Sequence, residues 1–582
     1  MFGIIGYVVL CFLVSGCKKS GDPVDPYEPH YGDPVDGIRI AWDYSSMQKL
    51  APQGDRILGW VGYPRVRRLS DGRLMAVYET QGNGELIESN DNGESWSQPV
   101  HSFTKHIYTN THGESTEVNI ANTELVQLKN GDLVMACNYR PAREEIAPFA
   151  IAIRRSSNGG QSWTQSEVIY EAGPRFKDGC WEPALLQLPN GELQVYFANE
   201  SPFRTSDEQN ISMIQSTDNG ISWSEEVKTV CFREGRRDGM PVPLLVNDDI
   251  IVAIEDNKVG QFKPYIIRAN VSDNWETPVL ANSPFRESAL KEPLPDHVYA
   301  GAPYLMKVPS GEVLISYQTT GGRSSDWERS TMEVAVGDKS GRNFTKQSRP
   351  FSVPLDREAK WNSISLWDEH TVVAAATTSF RSPNCEVWMI LGHIIPELEA
   401  QQGVILADGN LAPAEWGSDW PIFVGHQRAT TLRAALRHDG SKLFVGVKVN
   451  DRQLTSDSKG LLKADGVYVY LDPNSQNLLE PGEGLFRFWC NFKGETKLEK
   501  GEQGQWKAVE LDGLKAVAKT VSDSGYQIEF ELPFADIEKD NQLDFRINFG
   551  LVDYSQNTGI REENLANSVA GSSSTWCRVS MK

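Results

Sequence analysis

Residues 188–200 read LPNGELQVYFANE, which is an apolar residue, a turn of Pro, Asn and Gly, and then a strand-like segment. Related segments recur roughly every 60 residues, and the six copies are LSDGRLMAVYE from Leu69, LKNGDLVMACNYR from Leu128, LPNGELQVYFANE from Leu188, VNDDIIVAIED from Val246, VPSGEVLISYQ from Val308 and WDEHTVVAAAT from Trp367. This spacing leaves room for one four-stranded sheet per copy, and radial packing of such sheets protects their edges. The sequence therefore predicts an all-β protein in which residues 37–396 form a six-bladed β-propeller.

A second repeat supports this arrangement. Its copies are SNDNGESW at 89–96, SSNGGQSW at 156–163 and STDNGISW at 216–223. They resemble the Asp-box of sialidase-like propellers. The Asp or Asn side chain of such a motif holds a tight hairpin, and its Gly supplies a positive φ. We therefore expect these residues to have an architectural role.

The sequence pattern changes after Ile395. Residues 397–582 contain KLFVGVKVND, DGVYVYLDP, YQIEFELPFADI and STWCRV, which resemble the family 9 carbohydrate-binding modules. The resemblance implies a β-sandwich with a sugar-binding slot lined by Trp, and structural calcium in some relatives. Trp489 and Trp576 are the candidates for stacking on sugar, although core packing is the alternative for each.

The first residues predict an envelope lipoprotein. An apolar run from Phe2 to Val14 leads into VSGC, which resembles a bacterial lipobox. Residues 1–16 would be a lipoprotein signal peptide, Cys17 the lipidation site, and the acidic, Pro-rich residues 17–36 a tether. We expect a protein lipid-anchored in the bacterial cell envelope, at the outer membrane or cell surface.

Charge and cysteine usage narrow the possible partners. The formal net charge of −21 argues against nucleic acid, and against contact with an anionic membrane other than through the anchor. Six cysteines beyond residue 17 show no CxxC spacing, so a metal cluster is not expected. Disulfides and buried free thiols both remain open for them.

Candidate catalytic residues follow from the repeat spacing. The innermost strands of a propeller converge on its axis, and the positions six residues before each marker are Tyr63, Asn122, Glu182, Met240, Ala302 and Trp361. Glu182 begins an otherwise apolar strand, where an ionised group is costly, so it is a candidate general acid. Glu255 ends an apolar run in the next copy and could complete a pair around a glycosidic bond. A structural ion pair is the alternative for Glu255.

A family resemblance makes these roles more specific. The segments IANTELVQLKNGDLVMACNYR, WEPALLQLPNGELQVYFANE and YAGAPYLMKVPSGEVLISYQ resemble glycoside hydrolase family 93, and the similarity runs from about residue 60 to 320. That family contains six-bladed, retaining, exo-acting α-L-arabinanases related in fold to sialidases. The resemblance implies Glu182 as acid/base, Glu255 as nucleophile and a covalent arabinosyl–enzyme intermediate. No plausible metal triad is found in the sequence, so we expect no catalytic metal and no cofactor required for catalysis.

Further residues are assigned to substrate binding. Four of them could hydrogen-bond sugar hydroxyls or hold the carboxylates in their charge states, with a surface or blade-bridging role as the alternative: Arg65, Arg140, Arg237 and Asp238. Four others would line the pocket walls: Asn122, Tyr299, Gln318 and Trp361.

The resulting prediction is a monomeric, retaining exo-glycoside hydrolase. It would release arabino-oligosaccharides from α-1,5-L-arabinan or a related polysaccharide, and retention requires carboxyl groups about 5–5.5 Å apart. An exo-α-sialidase is the nearest rival, but three Arg, a Tyr/Glu pair and an Asp acid cannot all be placed. Two further functions fit the same pattern: an exo-glycosidase or lyase of different specificity, and a non-catalytic, glycan-binding surface lipoprotein.

Overall fold

The structure is a computed structural model that describes residues 37–425, 430–457, 460, 462–521, 524–556 and 559–582. The signal peptide and tether predicted for residues 1–36, with the proposed lipidation site Cys17, lie outside the described residues. Within the described ranges, no helix has the length and apolar character needed to cross a membrane.

Six sheets form the propeller, and the first three blades follow the first strand, β1 (Ile38–Ala51). Blade 1 contains β2 (Val61–Arg68), β3 (Leu74–Thr80), β4 (Asn83–Ser89) and β5 (Val100–Phe103). Blade 2 contains β6 (His106–Thr109), β7 (Ser115–Gln127), β8 (Leu133–Pro141), β9 (Ala150–Ser156) and β10 (Glu167–Glu171). A 3₁₀ turn (Phe176–Asp178) precedes blade 3, which contains β11 (Cys180–Gln187), β12 (Leu193–Asn199), β13 (Asn210–Ser216) and β14 (Lys228–Phe232).

The other three blades continue in chain order. Blade 4 contains β15 (Asp238–Val246), β16 (Asp249–Val259), β17 (Gln261–Asn270) and β19 (Arg286–Ser288), while β18 (Val279–Leu280) returns to pair with β14 of blade 3. Blade 5 contains β20 (Ala300–Lys307), β21 (Val313–Thr319), a 3₁₀ turn (Trp327–Arg329), β22 (Thr331–Gly337) and β23 (Thr345–Ser348). Blade 6 contains β24 (Ala359–Asp368), β25 (Thr371–Thr378) and β26 (Glu386–Pro396).

The ring is closed by the first strand of the chain. The strand order of blade 6 is β1-β26-β25-β24, so β1 supplies its outermost strand. The pairing runs from Ile38 opposite Pro396 to Ala51 opposite Val387. The predicted six-bladed propeller is confirmed, and the last blade depends on a segment that carries no repeat marker.

The Asp-box hairpins follow β4 in blade 1, β9 in blade 2 and β13 in blade 3, and each leads into the next strand of its blade. The Gly93 N–H donates to Ser89 Oγ (2.8 Å), and the Ser95 N–H donates to Asp91 Oδ1 (2.9 Å). The same pair of bonds recurs in blade 3 around Asp218. Hydrogen bonding lowers the pKa of the Asp91 and Asp218 carboxyl groups to about 2. These residues act as scaffold, since their oxygens are occupied by their own turns.

Residues 398–581 form two packed sheets joined at β27. The strands are β27 (Leu398–Gln402), β28 (Ile422–Val424), β29 (Thr431–His438), β30 (Lys442–Asn450), β31 (Gly466–Asp472), β32 (Phe486–Asn491), β33 (Thr496–Glu502), β34 (Gln505–Ala508), β35 (Lys515–Val521), β36 (Gly525–Pro533), β37 (Asp544–Ser555), β38 (Gly559–Asn564) and β39 (Cys577–Met581). One short helix, α1 (Pro413–Trp416), and two 3₁₀ turns (Leu565–Asn567 and Ser573–Thr575) complete the domain. Side chains of both sheets share one apolar core that includes Val445, Ile528, Val469 and Phe549. The predicted β-sandwich is confirmed.

The six cysteines of the described residues are all free thiols, and five of them are buried: Cys137, Cys180, Cys231, Cys490 and Cys577, with Cys385 half-buried. Of the two possibilities that the sequence left open, the structure shows unpaired thiols.

Candidate active site

Each innermost strand of the propeller contains an irregularity at the same place. In β11 the pairing with β12 shifts between Trp181 and Ala184, and in β15 the pairing with β16 shifts between Gly239 and Val242. One residue in each irregularity has a φ between 49° and 52°, and the six are Tyr63, Asn122, Glu182, Met240, Ala302 and Trp361. A non-glycine residue in this region costs about 1–2 kcal/mol. Such strain at six equivalent positions indicates a ring of bulges held in place by its neighbours.

The bulge residues surround one narrow pocket on the propeller axis. All six line it, together with residues that follow them in their strands, including Arg65, Pro183 and Tyr304. The spacing of six residues before each marker therefore identified the positions that the fold brings together.

Side chains from the second strands hold the bulges. The Ala302 N–H donates to Glu255 Oε2 (3.0 Å), and the Trp361 N–H donates to Gln318 Oε1 (2.7 Å). The Asn122 N–H donates to Glu79 in the same way. Each acceptor belongs to the preceding blade, so these hydrogen bonds link adjacent blades around the pocket.

Glycine is required opposite these acceptors. Glu255 pairs with Gly239 in its own blade and reaches towards Gly301 of the next blade. A Cβ on Gly301 would lie 2.5 Å from Glu255 Oε2, and one on Gly239 would lie 3.0 Å from Glu255 Oε1. The Glu255 carboxylate thus lies beside Gly239 and Gly301, the residues just before the bulges of blades 4 and 5.

Glu182 is partly exposed at the pocket, on the bulge of blade 3. Burial raises the pKa of its carboxyl group, and the charges of Arg140 and Arg237 oppose that rise. Glu200 raises the pKa of Glu182 further, whereas the Met240 N–H lowers it. A carboxyl group with a raised pKa keeps its proton to higher pH than an exposed one, which suits general acid catalysis.

Glu255 is also partly exposed. Burial raises the pKa of its carboxyl group to about 7, while the Ala302 N–H lowers it, Glu182 raises it and Arg237 lowers it. The charge of Glu182 therefore acts on Glu255 across adjacent blades.

Two of the predicted arginines lie beside the carboxylates. Arg140 donates to Asn138 Oδ1 (2.9 Å) and to Asn122 Oδ1 (3.0 Å), and its guanidinium carbon is 4.9 Å from the ring centre of Trp181. Arg237 forms an ion pair with Glu200 (2.7 Å). The charges of both arginines lower the pKa of Glu182 and so favour its ionised form.

The other two predicted charged residues are already engaged. Arg65 lies deeper in the pocket, where its Nε pairs with Glu124 (3.0 Å). Asp238 is fully buried and binds Arg286 (2.6 Å), away from the pocket lining. Asp238 therefore fits a structural role rather than contact with substrate.

Aromatic side chains from blades 5, 6 and 1 form a wall. The Trp361 ring stacks on Tyr63 with centroids 4.8 Å apart and an interplanar angle of 22°. Trp327 meets Trp361 at 6.1 Å and Tyr299 at 6.2 Å, both at steep angles. The hydroxyl of Tyr299 accepts a hydrogen bond from Gln318 Nε2 (2.9 Å). Such a wall offers apolar faces to a sugar ring next to the acidic groups.

Sequence reasoning missed Trp60 and Trp327 at this site and assigned no role to Glu79. Trp60 packs against Tyr63 (6.4 Å), and Trp327 lies in a 3₁₀ turn outside the repeats, so no repeat marker pointed to either. Glu79 is buried beside Asn122, and its position was detectable. It follows its marker Leu69 by ten residues, as Gln318 follows Val308.

The sugar-stacking assignment in the sandwich is wrong. Trp489 and Trp576 are only 1% and 0% exposed, because they pack with Tyr468 and Tyr470 beneath the outer face of their sheet. Neither ring can stack on a ligand. The neighbouring Trp506 is half-buried and lies 4.9 Å from the Arg487 guanidinium, so it is the accessible aromatic of this region.

The resemblance also allowed structural calcium in the sandwich. Among the described residues, no three His, Cys, Asp or Glu side chains converge closely enough to hold a metal ion. We therefore assign no calcium ligands.

Two family models match parts of the chain. The model described as carbohydrate family 9 binding domain-like matches residues 421–579, and the model described as BNR repeat-like domain matches residues 142–232. The resemblance of the sandwich to family 9 modules is thereby confirmed. No curated protein matches the chain.

Several solved structures are similar to this chain. One is the family 93 α-L-arabinofuranosidase of Fusarium graminearum with arabinobiose (17% identity, 62% of this chain and 98% of that chain, TM-score 0.42). Another is the NanB sialidase from Streptococcus pneumoniae (13% identity, 60% and 70%, TM-score 0.44). A third is a family 9 carbohydrate-binding module from Caldicellulosiruptor kristjanssonii in complex with cellotriose (16% identity, 32% and 93%, TM-score 0.28).

Proposed function

We propose that this protein is a retaining exo-glycoside hydrolase that releases arabino-oligosaccharides from α-1,5-L-arabinan or a related polysaccharide. The observation that carries the proposal is the pair Glu182 and Glu255. The two carboxyl groups come from adjacent blades, both are partly exposed, and the charge of Glu182 raises the pKa of Glu255. The choice of arabinan rests on the sequence resemblance to family 93.

The first half of the reaction would transfer the sugar to the protein. Protonated Glu182 donates its proton to the glycosidic oxygen while the Glu255 carboxylate attacks the anomeric carbon. The bond to the leaving group breaks as a glycosyl ester forms on Glu255. Arg237 supports this step, because its charge favours the ionised form of Glu255.

The second half would release the sugar. Glu182, now a carboxylate, takes a proton from a water molecule whose oxygen attacks the anomeric carbon. The ester bond to Glu255 breaks and the carboxylate is restored. Two inversions leave the product with the configuration of the substrate. The positive charges of Arg140 and Arg237 favour the ionised form of Glu182 that this step needs.

A sialidase on the same fold is the second candidate, because Tyr299 lies close to Glu255. A Cβ on Gly301 would be 2.5 Å from both the Tyr299 hydroxyl and Glu255 Oε2. Against it, Arg65 is held by Glu124 rather than offered to a substrate carboxylate. Product release from arabinan and from sialylated glycans, assayed side by side, separates the two candidates.

The variant Glu182→Gln tests the proposed acid. We expect kcat on arabinan to fall by about 10²–10⁴-fold, the usual contribution of a general acid, while oligosaccharide binding persists. The matched control is Glu333→Gln, since Glu333 is a buried carboxylate held by Arg349 (2.8 Å) outside the pocket. Wild-type protein that binds glycans without turning any of them over would refute the enzyme and favour a glycan-capture function.

The aromatic wall gives a second test. Trp361→Ala should raise KM about tenfold, because the loss of one stacked ring costs about 1.4 kcal/mol of sugar binding. Trp361→Phe keeps a ring over the pocket and should recover most of that loss. An unchanged KM in Trp361→Ala, measured by initial rates on arabino-oligosaccharides, would show that the wall does not contact substrate.

A further inference from the structure

The Glu200 side chain connects the two blades that carry the proposed catalytic carboxyl groups. It directly follows β12 of blade 3 and is only 3% exposed. One of its oxygens, Oε1, accepts hydrogen bonds from Trp181 Nε1 (2.8 Å) and from the Arg237 guanidinium (2.7 Å). Trp181 belongs to the innermost strand of blade 3, whereas Arg237 immediately precedes the innermost strand of blade 4. Glu200 therefore binds a side chain at the start of each of these strands.

On the blade 3 side, Glu200 holds the residue that precedes Glu182. Glu182 has a φ of 52°, and a non-glycine backbone in this region persists only where its neighbours hold it. The Trp181 indole donates its N–H to Glu200, and its ring contacts Phe149 (centroids 4.9 Å apart) and the Arg140 guanidinium (4.9 Å from the ring centre). Because Trp181 and Glu182 are consecutive residues, an anchored indole limits where the Glu182 carboxyl group can lie.

On the blade 4 side, Glu200 holds Arg237, and the contacts of Arg237 lead to Glu255. Arg237 also donates to the side-chain oxygen of Gln209. A Cβ on Gly239 would lie 3.1 Å from Gln209 Nε2 and 3.0 Å from Glu255 Oε1, so the Gln209 amide lies beside the Glu255 carboxylate. Glu200 is thus connected to the surroundings of both proposed catalytic groups.

The negative charge of Glu200 does more than accept these hydrogen bonds. A glutamine could accept from Trp181, and burying an amide costs less than burying a carboxylate. The charge of Arg237 lowers the pKa of both Glu182 and Glu255. The charge of Glu200 raises the pKa of Glu182. Glu200 therefore offsets the effect of Arg237 on the proposed acid.

We propose that Glu200 is a positioning residue of the catalytic pocket, which anchors Trp181 beside the acid and balances the charge of Arg237. This inference rests on the proposed function. Glu200 exchanges no proton with the substrate and forms no bond to it. It keeps Glu182 in place, and it allows Arg237 to act on the nucleophile without depriving the acid of the proton that it must donate.

Removal of the Glu200 charge has one expected direction. Glu182 and Glu255 interact, so their protons leave in two steps that belong to the pair. The loss of a negative charge near Glu182 favours its ionised form. At least one of the two steps then moves to lower pH and neither moves to higher pH, whichever group loses its proton first. Glu182 is also protonated in a smaller fraction of molecules, so the first half of the reaction becomes slower.

Other charged groups near these residues stay in place when Glu200 is replaced. Arg140 on β8 lowers the pKa of Glu182. Asp207, whose carbonyl accepts from Arg237 (3.2 Å), has an exposed carboxylate that pairs with Lys177 (2.8 Å). The remaining groups that interact with Glu182 are Tyr63, Glu79, Cys180, Glu255 and Tyr299.

The test compares three variants of the full-length protein: Glu200→Gln, Arg237→Gln and the double variant. In Glu200→Gln the pH profile of kcat/KM on an aryl arabinofuranoside should move to lower pH by about one unit, and its maximum should fall. Arg237→Gln removes a positive charge and should move the profile to higher pH. The double variant removes both charges and should return the profile close to that of wild type.

The matched control is Glu333→Gln in blade 5. Glu333 is buried like Glu200, and it also accepts from an aromatic donor and an arginine, Tyr317 (2.9 Å) and Arg349 (2.8 Å). It lies outside the pocket, so its replacement should leave the pH profile unchanged. A buried carboxylate with a purely structural role would behave in this way.

A second measurement does not depend on turnover. In protein with isotope-labelled tryptophan, the indole N–H signal of Trp181 is identified by its loss in Trp181→Phe, and its change with pH follows ionisation of the adjacent carboxyl groups. This titration should move to lower pH in Glu200→Gln and to higher pH in Arg237→Gln.

Two results would overturn the proposal. One is an unshifted pH profile together with an unshifted indole titration in Glu200→Gln. The other is a double variant that stays as far from wild type as Glu200→Gln does, since Glu200 would then not balance Arg237. If wild-type protein hydrolyses no glycan tested, the proposed function fails while the indole titration still decides the role of Glu200.

Discussion

Replacing Glu255 is expected to abolish turnover, with kcat lower by about 10⁴-fold, the upper range for a single catalytic group. The nucleophile forms a covalent bond to the sugar, so another side chain could replace it only by moving into position to attack the anomeric carbon. Glu255→Gln is the preferred variant, because glutamine can keep the hydrogen bond to the Ala302 N–H, as Gln318 keeps that to Trp361. Initial rates on arabinan and on an aryl arabinofuranoside measure the loss.

Azide distinguishes a lost nucleophile from a distorted pocket. In Glu255→Ala, added azide can enter the vacated space and attack the anomeric carbon of an activated substrate. The product should be a glycosyl azide of inverted configuration, because only one displacement takes place. In Glu182→Ala the azide product should retain its configuration, since the Glu255 ester still forms first. The same configuration in both variants would contradict the assigned roles.

The second large effect concerns stability, at the buried ion pairs of blade 4. Arg286 binds Asp238 (2.6 Å) and Asp256 (2.7 Å), and all three side chains are almost completely buried. Arg286→Met removes the charge but keeps much of the volume. Asp238 would then lose its ion-pair partner, whereas Asp256 keeps Arg233 (2.7 Å). A buried charge left without its partner costs about 3–5 kcal/mol of unfolding free energy. Urea unfolding followed by tryptophan fluorescence should show the loss.

The exposed pair between Arg342 and Glu287 (2.9 Å) provides the matched control. Arg342→Met should cost less than about 1 kcal/mol, because solvent screens that pair. The difference in unfolding free energy between Arg286→Met and wild type should also become smaller as pH falls. Burial raises the pKa of the Asp238 carboxyl group, and without Arg286 the folded state binds that proton more tightly than the unfolded state does. A deficit equal in the two variants, or independent of pH, would contradict the buried-pair account.

The blades and the bulge positions were predictable because both repeat along the chain. Turn residues and apolar alternation are local properties of the sequence. The marker at Leu188 could therefore be found from its own segment, and Glu182 from its distance to that marker. Glu79 follows the same spacing in the forward direction, yet the other copies carry different residue types there. Because the residue types at this position differ from copy to copy, the spacing placed Glu79 at an equivalent strand end but indicated no role for it.

Charge partners were much harder to predict. Arg65 is neutralised by Glu124, 59 residues away, and Asp238 by Arg286, 48 residues away. Each pair joins segments whose proximity exists only after the sheets are formed. The burial of Trp489 was hard to predict for the same reason. The alternating pattern of β32 shows that the two faces of the strand differ, but it does not show what covers each face.

The closure of the ring by β1 affects how the chain must fold during synthesis. Its partner strand begins at Glu386, so β1 waits for more than 300 residues before it can pair. At 5–20 residues per second, that delay is about 20–70 s. During this delay β1 has no strand to pair with. Three of its side chains are buried in the core of the folded protein: Ile38, Ile40 and Trp42. The propeller can therefore close only after residue 396 has been synthesised, although the strand that closes it is made first.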